Sequence, residues 1–569
     1  MVNMKYMTDM KHIYKIFLTF LCVACALSCS FLKEQSYTEI EKDNYLNNAD
    51  EAQNVLLGAY RTLIEDAAYS MNLSFLLNMG TDISQVEGST TENWRIIPTN
   101  AFPTTQSEIQ ETWRTLYKCI YRTNDFLERI SVKIDSYDQT DYALGVLYIA
   151  EARCLRAMCY FELVRRWNRI PLMKDTAMSY ADPSTLVQAD PAEVYEFIEQ
   201  DLLYAIEVLP YAKDDHYRSD NRYRFSKGAA MGLLAKVYCT WAGWPVQDAT
   251  KWEAAAKIAE RLIYSGKHDL LPEYETLWKN TCNGVWDPTE SLIEISFYSP
   301  TTGSGSSDPC GRIGKWNGVR TTALAGERGS CAGNVKVVHT FVVDWRNRSA
   351  GKDLRCDLSV ANYRYNNDWQ LWVGTDASAA DNDANPLKKQ KEKQNYTPAK
   401  WDVLKYVEPA NQMINSDKSN VNWYFLRYAD VLLLYAEALN EWKGGPTTEA
   451  YAALNKVRRR GYGNPSNTSV CDLSGLDCEG FRKAIRDERA WELAFEGHRR
   501  TDLVRWGIYS ETVQQTDAAL RDWWDWGSNS SSYNYVVAKY TQKNKSELLP
   551  IPQREKDLCT QFKQNPGWE

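Results

Sequence analysis

Apolar positions recur at helical spacing through most of the chain. Leu56, Ala59, Tyr60 and Ile64 mark one face of a helix within residues 43–64, and Trp113, Leu116, Tyr117 and Ile120 mark another within 110–130. Leu147, Cys154, Met158 and Phe161 carry a third helix to about residue 166, short of Pro171, and Val194, Phe197, Ile198, Leu202 and Ile206 give it a partner face. Two further pairs follow, 229–241 with 252–263 and 425–442 with 449–460, the last divided by the breaker Gly444-Gly445-Pro446. Ala255, Ala256 and Ala259 let facing helices approach closely. Large residues set against small ones across a hairpin follow the tetratricopeptide pattern, loosely kept. The uneven spacing between pairs predicts a helical scaffold with insertions rather than a regular solenoid.

The pattern fails in two places. Residues 78–107 lose periodicity and become rich in Thr, Ser, Asn and Pro around Trp94, a loop of a length that is more often functional than idle. Residues 280–420 form a longer irregular insertion with Gly303-Ser304-Gly305-Ser306-Ser307 and Trp286, Trp316, Trp345, Trp369, Trp372 and Trp401; short strands such as 335–343 are the regular structure expected there. Irregular aromatic-rich segments on a rigid scaffold are where binding residues tend to sit. The expected architecture is therefore mostly α, one helical scaffold over 40–270 and 421–569 interrupted by the insertion.

At the N-terminus, Lys11 and Lys15 precede an apolar run, residues 16–27, that ends in Ala26-Leu27-Ser28-Cys29 and gives way at once to polar sequence. The run is shorter than the roughly 20 apolar residues a membrane span needs and reads as a secretory leader, residues 1–28. Small residues before a cysteine resemble a bacterial lipobox, which makes Cys29 the expected lipidated N-terminus of a single domain, 29–569. Cys25 competes for that role and Met10 competes as the start.

Charge and composition narrow the function. The formal charge of -8 becomes -10 once the leader's three lysines and one aspartate are removed, so a phosphate-binding surface and nucleic-acid partners are not expected. An acidic body would be held at a membrane by acyl chains rather than by a basic patch. The 14 cysteines show no repeated spacing and the histidines outside the leader are scattered, so neither a disulfide framework, nor a zinc site, nor any cofactor is expected; a bound structural calcium is left open. Glu488, Glu492 and Glu496 stand at successive i, i+4 positions among Arg489, Arg499 and Arg500. They read as ion pairs between packed helices rather than as the two carboxylates of a glycosidase, and no enzymatic activity is expected. The aromatic content, with 21 Trp and 35 Tyr, fits stacking against amphipathic groups such as sugars.

Residues 426–440 (LRYADVLLLYAEALN), 454–460 (LNKVRRR), 485–507 (IRDERAWELAFEGHRRTDLVRWG), 548–553 (LLPIPQ) and 564–568 (QNPGW) together resemble the motifs of the SusD/RagB family of outer-membrane nutrient-binding lipoproteins of Bacteroidetes. Trp113-Arg114-Thr115-Leu116-Tyr117, Asn124 and the stretch from 152 to Pro171-Leu172 are similar to its N-terminal half. Cys559-Thr560-Gln561 departs from the Asn-Pro often found there. The resemblance implies a SusD-like fold, a surface lipoprotein that captures oligosaccharides, and delivery of that cargo to a SusC-like TonB-dependent transporter. Oligopeptide cargo within the same family, and less readily a glycoside hydrolase, are the alternatives. It also implies ligand contacts from the loop before the Trp113 helix and from the central insertion. Trp94 is then either a sugar-stacking platform or a loop anchor, with Asn93, Arg95 and Asn100 as polar neighbours. Of Trp286, Tyr298, Trp316, Trp369 and Trp372, one or two are expected to line the site.

Overall fold

The computed structural model describes residues 45–86, 93–299, 310–321, 330–366, 371–372, 396–411, 417–468, 470–523 and 535–569. The leader, Cys29 and Trp369 lie outside the described residues. The chain divides into residues 1–47 and 48–569, and all the described helices and strands belong to the second unit.

The helices predicted from periodicity form, most of them longer than the pattern required. They are α1 (Ala49–Tyr60), α2 (Ser107–Lys133), α3 (Gln139–Trp167), α4 (Pro191–Val208), α5 (Lys227–Trp241) and α6 (Lys251–Ile263). Local chemistry fixes their starts. Asn48 Oδ1 accepts from the Glu51 amide, Asp138 and Ser226 cap α3 and α5, and Asp190 forms a capping box with Glu193 ahead of Pro191. Helices α2 to α6 each pack against the next in the chain, and Ala229, Ala235, Ala255 and Ala259 are all buried.

After α6 come α7 (Tyr274–Cys282), which the pattern missed, then α8 (His339–Arg348), α9 (Leu354–Ser359), the one-turn α10 (Val403–Tyr406), α11 (Tyr428–Lys443), α12 (Thr448–Gly461), α13 (Cys478–Glu492), α14 (Arg499–Arg505), α15 (Tyr509–Trp523) and two short terminal helices. Two expectations are corrected. The helix expected over 425–442 begins at Tyr428, because Trp423–Arg427 is a strand, β2, paired antiparallel with β1 (Ser291–Ile295). Both strands are buried along their whole length, and a short continuous apolar run does not distinguish such a strand from the first turn of a buried helix. The strand expected over 335–343 extends only over Val335–Val337, paired with Ser84–Val86; the rest enters α8. The insertion is thus less irregular than its composition implied.

One hydrophobic core runs from Ala59 through α2–α6 and α11 to Trp568. Trp345 and Trp401, from the insertion, are fully buried in it. Among the described residues no helix is long and apolar enough to cross a membrane, and no group of His, Cys, Asp or Glu is placed to hold a metal ion.

Candidate functional site

The loop between α1 and α2 closes on the insertion through two tryptophans. Trp94 stands in the 3-10 turn Asn93–Thr99, Trp316 in the segment after Cys310, and their rings meet at 5.0 Å between centroids with a tilt of 50°. Both are half-buried. Backbone pairing sets the meeting: the Arg312 amide donates to Ser70 O, the Trp316 amide to Arg312 O and the Asn334 amide to Trp316 O, while Gln106 Nε2 holds Asn93 O.

Charged groups surround the pair. The Arg95 guanidinium lies 4.6 Å from the Trp94 ring centre and reaches Asn334 Oδ1; the Arg312 guanidinium lies 4.6 Å from that of Trp316. Arg312 is paired with Asp66 at 2.9 Å, Lys418 with the same carboxylate at 3.1 Å, and Trp316 Nε1 donates to Asp417 Oδ1 at 3.2 Å. Burial works to raise the Asp66 carboxyl, but the hydrogen bonds from Arg312 and Ser70 outweigh it and hold it below its ordinary value. Beside Asp66 opens a polar groove of about 590 Å³ lined by Glu65, Asn72, Glu108, Glu111 and Lys118 among others. An amphipathic ligand with flat apolar faces and many hydroxyls would find ring surface and charged hydrogen-bonding groups together here.

The structure divides the expected site residues. Trp94, Arg95 and Trp316 come together, with Asn93 exposed next to them. Tyr298 is 67% exposed, and the adjacent Ser299 exchanges hydrogen bonds with Asn420, two residues from Lys418. Asn100 is a correction: it is buried, donates from Nδ2 to Tyr509 Oη and Thr541 Oγ1, and accepts from Arg500 on Oδ1, which leaves it nothing to offer a ligand. Trp286 stands apart, against Tyr223 at 6.2 Å. Trp372 belongs to a two-residue strand paired with Arg364–Tyr365. Asp66, Arg312, Asp417 and Lys418 were missed; each is an ordinary charge in an unpatterned segment, and only the fold brings them to one place.

The i, i+4 glutamates lie elsewhere, buried in ion pairs. Glu488 pairs with Arg355 and Arg458, Glu492 with Arg355, Arg427 and Arg460, and Glu496 with Arg427 and Lys400. Burial alone would raise the Glu492 carboxyl, but Arg460, Arg427 and Arg355 hold it far below the carboxylate range. Buried among arginines and a lysine, these acids do not face each other across an open cleft as a glycosidase's two carboxyls must.

Family comparisons agree with this architecture. The profile described as "SusD family" matches residues 342–568, and one described as "Starch-binding associating with outer membrane" matches residues 30–239. The chain is 67% identical to a SusD homolog of known crystal structure from Bacteroides thetaiotaomicron VPI-5482; the match covers 94% of this chain and 100% of that one, with a TM-score of 0.89. The chain belongs to the SusD family. Likeness to other SusD proteins extends over its length. SusD-like protein P25 of Formosa agariphila is 26% identical over 570 residues, 95% of each chain, and a laminarin binding SusD-like protein of known structure is 25% identical over 92% of this chain and 100% of its own, at a TM-score of 0.65. The SusD motifs noted in the sequence prove to be scaffold: Arg427, Asp430, Glu437, Arg489, Glu492, Glu496, Asp502 and Arg505 are all buried and ion-paired with one another or with neighbouring helices.

Proposed function

We propose that this SusD-family protein is a cell-surface lipoprotein, anchored through Cys29, that binds oligosaccharides and passes them to a SusC-like TonB-dependent transporter without chemically altering them. The observation that carries the reading is the half-buried Trp94–Trp316 pair set among Arg95, Arg312, Asp66 and Asp417, an aromatic surface with polar groups at its edge. Pyranose C–H faces stack on such rings while hydroxyls exchange hydrogen bonds with the charged rim. The laminarin binding relative supports glycan as the cargo class, and the outer-membrane association in the matched family description supports the location. A wet site with few aromatic anchors gives modest affinity, as suits a component that must release what it captures.

Calorimetric titration with a panel of defined oligosaccharides, laminari-oligosaccharides first, tests the capture step. Binding that disappears in Trp94→Ala supports it. Binding unchanged by that substitution moves the site away from the pair, and a panel that fails while oligopeptides bind replaces glycan with peptide as the cargo. Incorporation of labelled palmitate that is lost in Cys29→Ala tests the anchor. Co-purification with the transporter expressed alongside tests the partner.

A further inference from the structure

Helix α2 carries a polar stripe along one side. Glu108, Glu111, Arg114, Lys118 and Tyr121 follow one another at three- or four-residue spacing, which sets them on one face; the first and last are about 20 Å apart along the helix axis. Two grooves open beside that stripe. The first is the 590 Å³ groove next to Asp66, which Glu108 and Glu111 line. The second, of about 300 Å³, is lined by Tyr117, Tyr121, Met173, Leu186 and Phe562 among others. Arg114 and Lys118 line both, so the grooves meet at these two side chains, each close to half exposed.

The first groove also reaches the tryptophan pair, by two sets of contacts. Asp66, in its lining, holds Arg312 at 2.9 Å, and that guanidinium lies 4.6 Å from the Trp316 ring centre. Gln106 Nε2 donates both to Glu108 Oε2, in the lining, and to Asn93 O, beside Trp94.

Resting on the capture function above, we propose that the glycan held at Trp94 and Trp316 runs on along α2 through both grooves, so that the protein selects an uncharged oligosaccharide long enough to reach Tyr121.

Continuity, charge and ring chemistry each point to that occupant. A stripe of about 20 Å that starts beside the tryptophans is longer than a single sugar ring, so only a chain can use all of it. Along the first groove the charges are compensated: Glu65 pairs with Lys118 at 2.6 Å, Glu111 with Arg114 at 2.9 Å, and Asp66 with both Arg312 and Lys418. Glu108 is bonded to the neutral donors Gln106 Nε2 and Ser107 Oγ. Four acids thus meet four bases, which offers hydrogen-bonding groups to hydroxyls without a net charge to draw an ion. Glu555, in the second groove, adds a carboxyl that disfavours an anionic chain. Beyond Lys118 the surface turns aromatic. Tyr121 and Tyr180 stand edge to face at 6.1 Å with their hydroxyls bonded at 2.6 Å, and Tyr180 is 75% exposed. Tyrosine rings with wet hydroxyls take the apolar face of a sugar and hydrogen-bond its rim.

The test is calorimetric titration of the full chain with the neutral trioses and hexaoses of the laminari-, cello- and malto-oligosaccharide series. In a series that binds, the hexaose should bind the native protein at least about tenfold more tightly than the triose. Tyr121→Ala should weaken the hexaose by about fivefold or more and leave the triose within about twofold, whereas Trp94→Ala should weaken both by about tenfold. Equal affinities for triose and hexaose overturn the proposal, as does a hexaose affinity unchanged in folded Tyr121→Ala. Tighter binding of an oligogalacturonate hexamer than of every neutral hexaose overturns it as well. Tyr180 is on the surface, so Tyr180→Ala, with an expected loss for the hexaose of about twofold or more, keeps the test decisive if Tyr121→Ala does not fold. The two readings fail separately. Trioses that bind in a Trp94-dependent way, with no hexaose binding more tightly, remove the α2 track alone. If none of these sugars binds, the track is overturned, and the capture reading falls with it only if the wider oligosaccharide panel fails too.

Discussion

The guanidinium of Arg355 lies against Gly461: a Cβ built on that glycine would stand 2.2 Å from Arg355 Nε and 2.4 Å from Cζ. Arg355 is fully buried and binds Asp353, Glu488 and Glu492, so a bare position at the end of α12 is what admits the cation these acids need. In an open helix Gly→Ala stabilises by about 1 kcal/mol. Here Gly461→Ala must push Arg355 out of its ion pairs, and a loss of about 2–4 kcal/mol is expected. Urea unfolding checks the sign, and a more stable variant would show that the cation has room to move.

Arg427 is the centre of the same network, bonded to Glu290 at 2.7 Å, Glu492 at 3.0 Å and Glu496 at 2.7 Å, all buried. Arg427→Met keeps the bulk of the side chain but takes one counter-charge from each of three buried carboxylates. A loss of about 3–5 kcal/mol is expected, because desolvated charges lose their counter-charge. The prediction is read from thermal unfolding, and a melting temperature close to native would mean that Arg460 and Lys400 compensate.

At the tryptophan pair, Trp316→Ala removes both a stacking surface and the support under Trp94, so it should weaken oligosaccharide binding by about tenfold, with Trp94→Ala similar. Because the rings touch, the double variant should lose less than the two single losses combined. Trp286→Ala should leave an unsubstituted oligosaccharide within about twofold of native affinity. Calorimetry on the native protein and the four variants separates these outcomes; a large loss in Trp286→Ala would move the principal site to the Tyr223–Trp286 contact instead.

Glu294 should make stability depend on pH. Burial, with a smaller push from Asp287, raises its carboxyl from the ordinary 4.5 to about 7, although Asn422 and Ser291 oppose the rise. Between those two values the unfolded chain has released a proton that the folded chain keeps, so the group's contribution is full below about 4.5, falls as pH rises through 7 and stays lost above. Glu294→Gln, which cannot ionise, should therefore be more stable than native by about 1–3 kcal/mol at high pH, with the gap closing toward acid. Urea midpoints at the two extremes decide it, and a gap that widens in acid would contradict the assignment.

What could be read in advance depended on the reach of each signal. The periodic faces of α1 to α6 and α12 announced themselves, since a buried helical stripe repeats over several turns and survives in any tertiary context. The Asp190–Pro191–Glu193 start of α4 was equally local, although it was recognised only in the folded chain. Strand β2 was hidden inside an apolar run, and α7 and α8 inside segments whose composition looked irregular.

The sequence by itself determined the helical scaffold, the family motifs and the ion-pairing character of Glu488, Glu492 and Glu496, because these depend on residues a few positions apart or on motif order along the chain. Tertiary structure alone decided which aromatics meet. Trp94 and Trp316 are 222 positions apart, and Asp66, Arg312 and Lys418 come from three separate segments. Asn100 looked like a polar loop residue until Arg500, Tyr509 and Thr541 closed around it. A binding surface assembled from non-repeating loops leaves no periodic trace, since its geometry exists only after the core beneath those loops has packed.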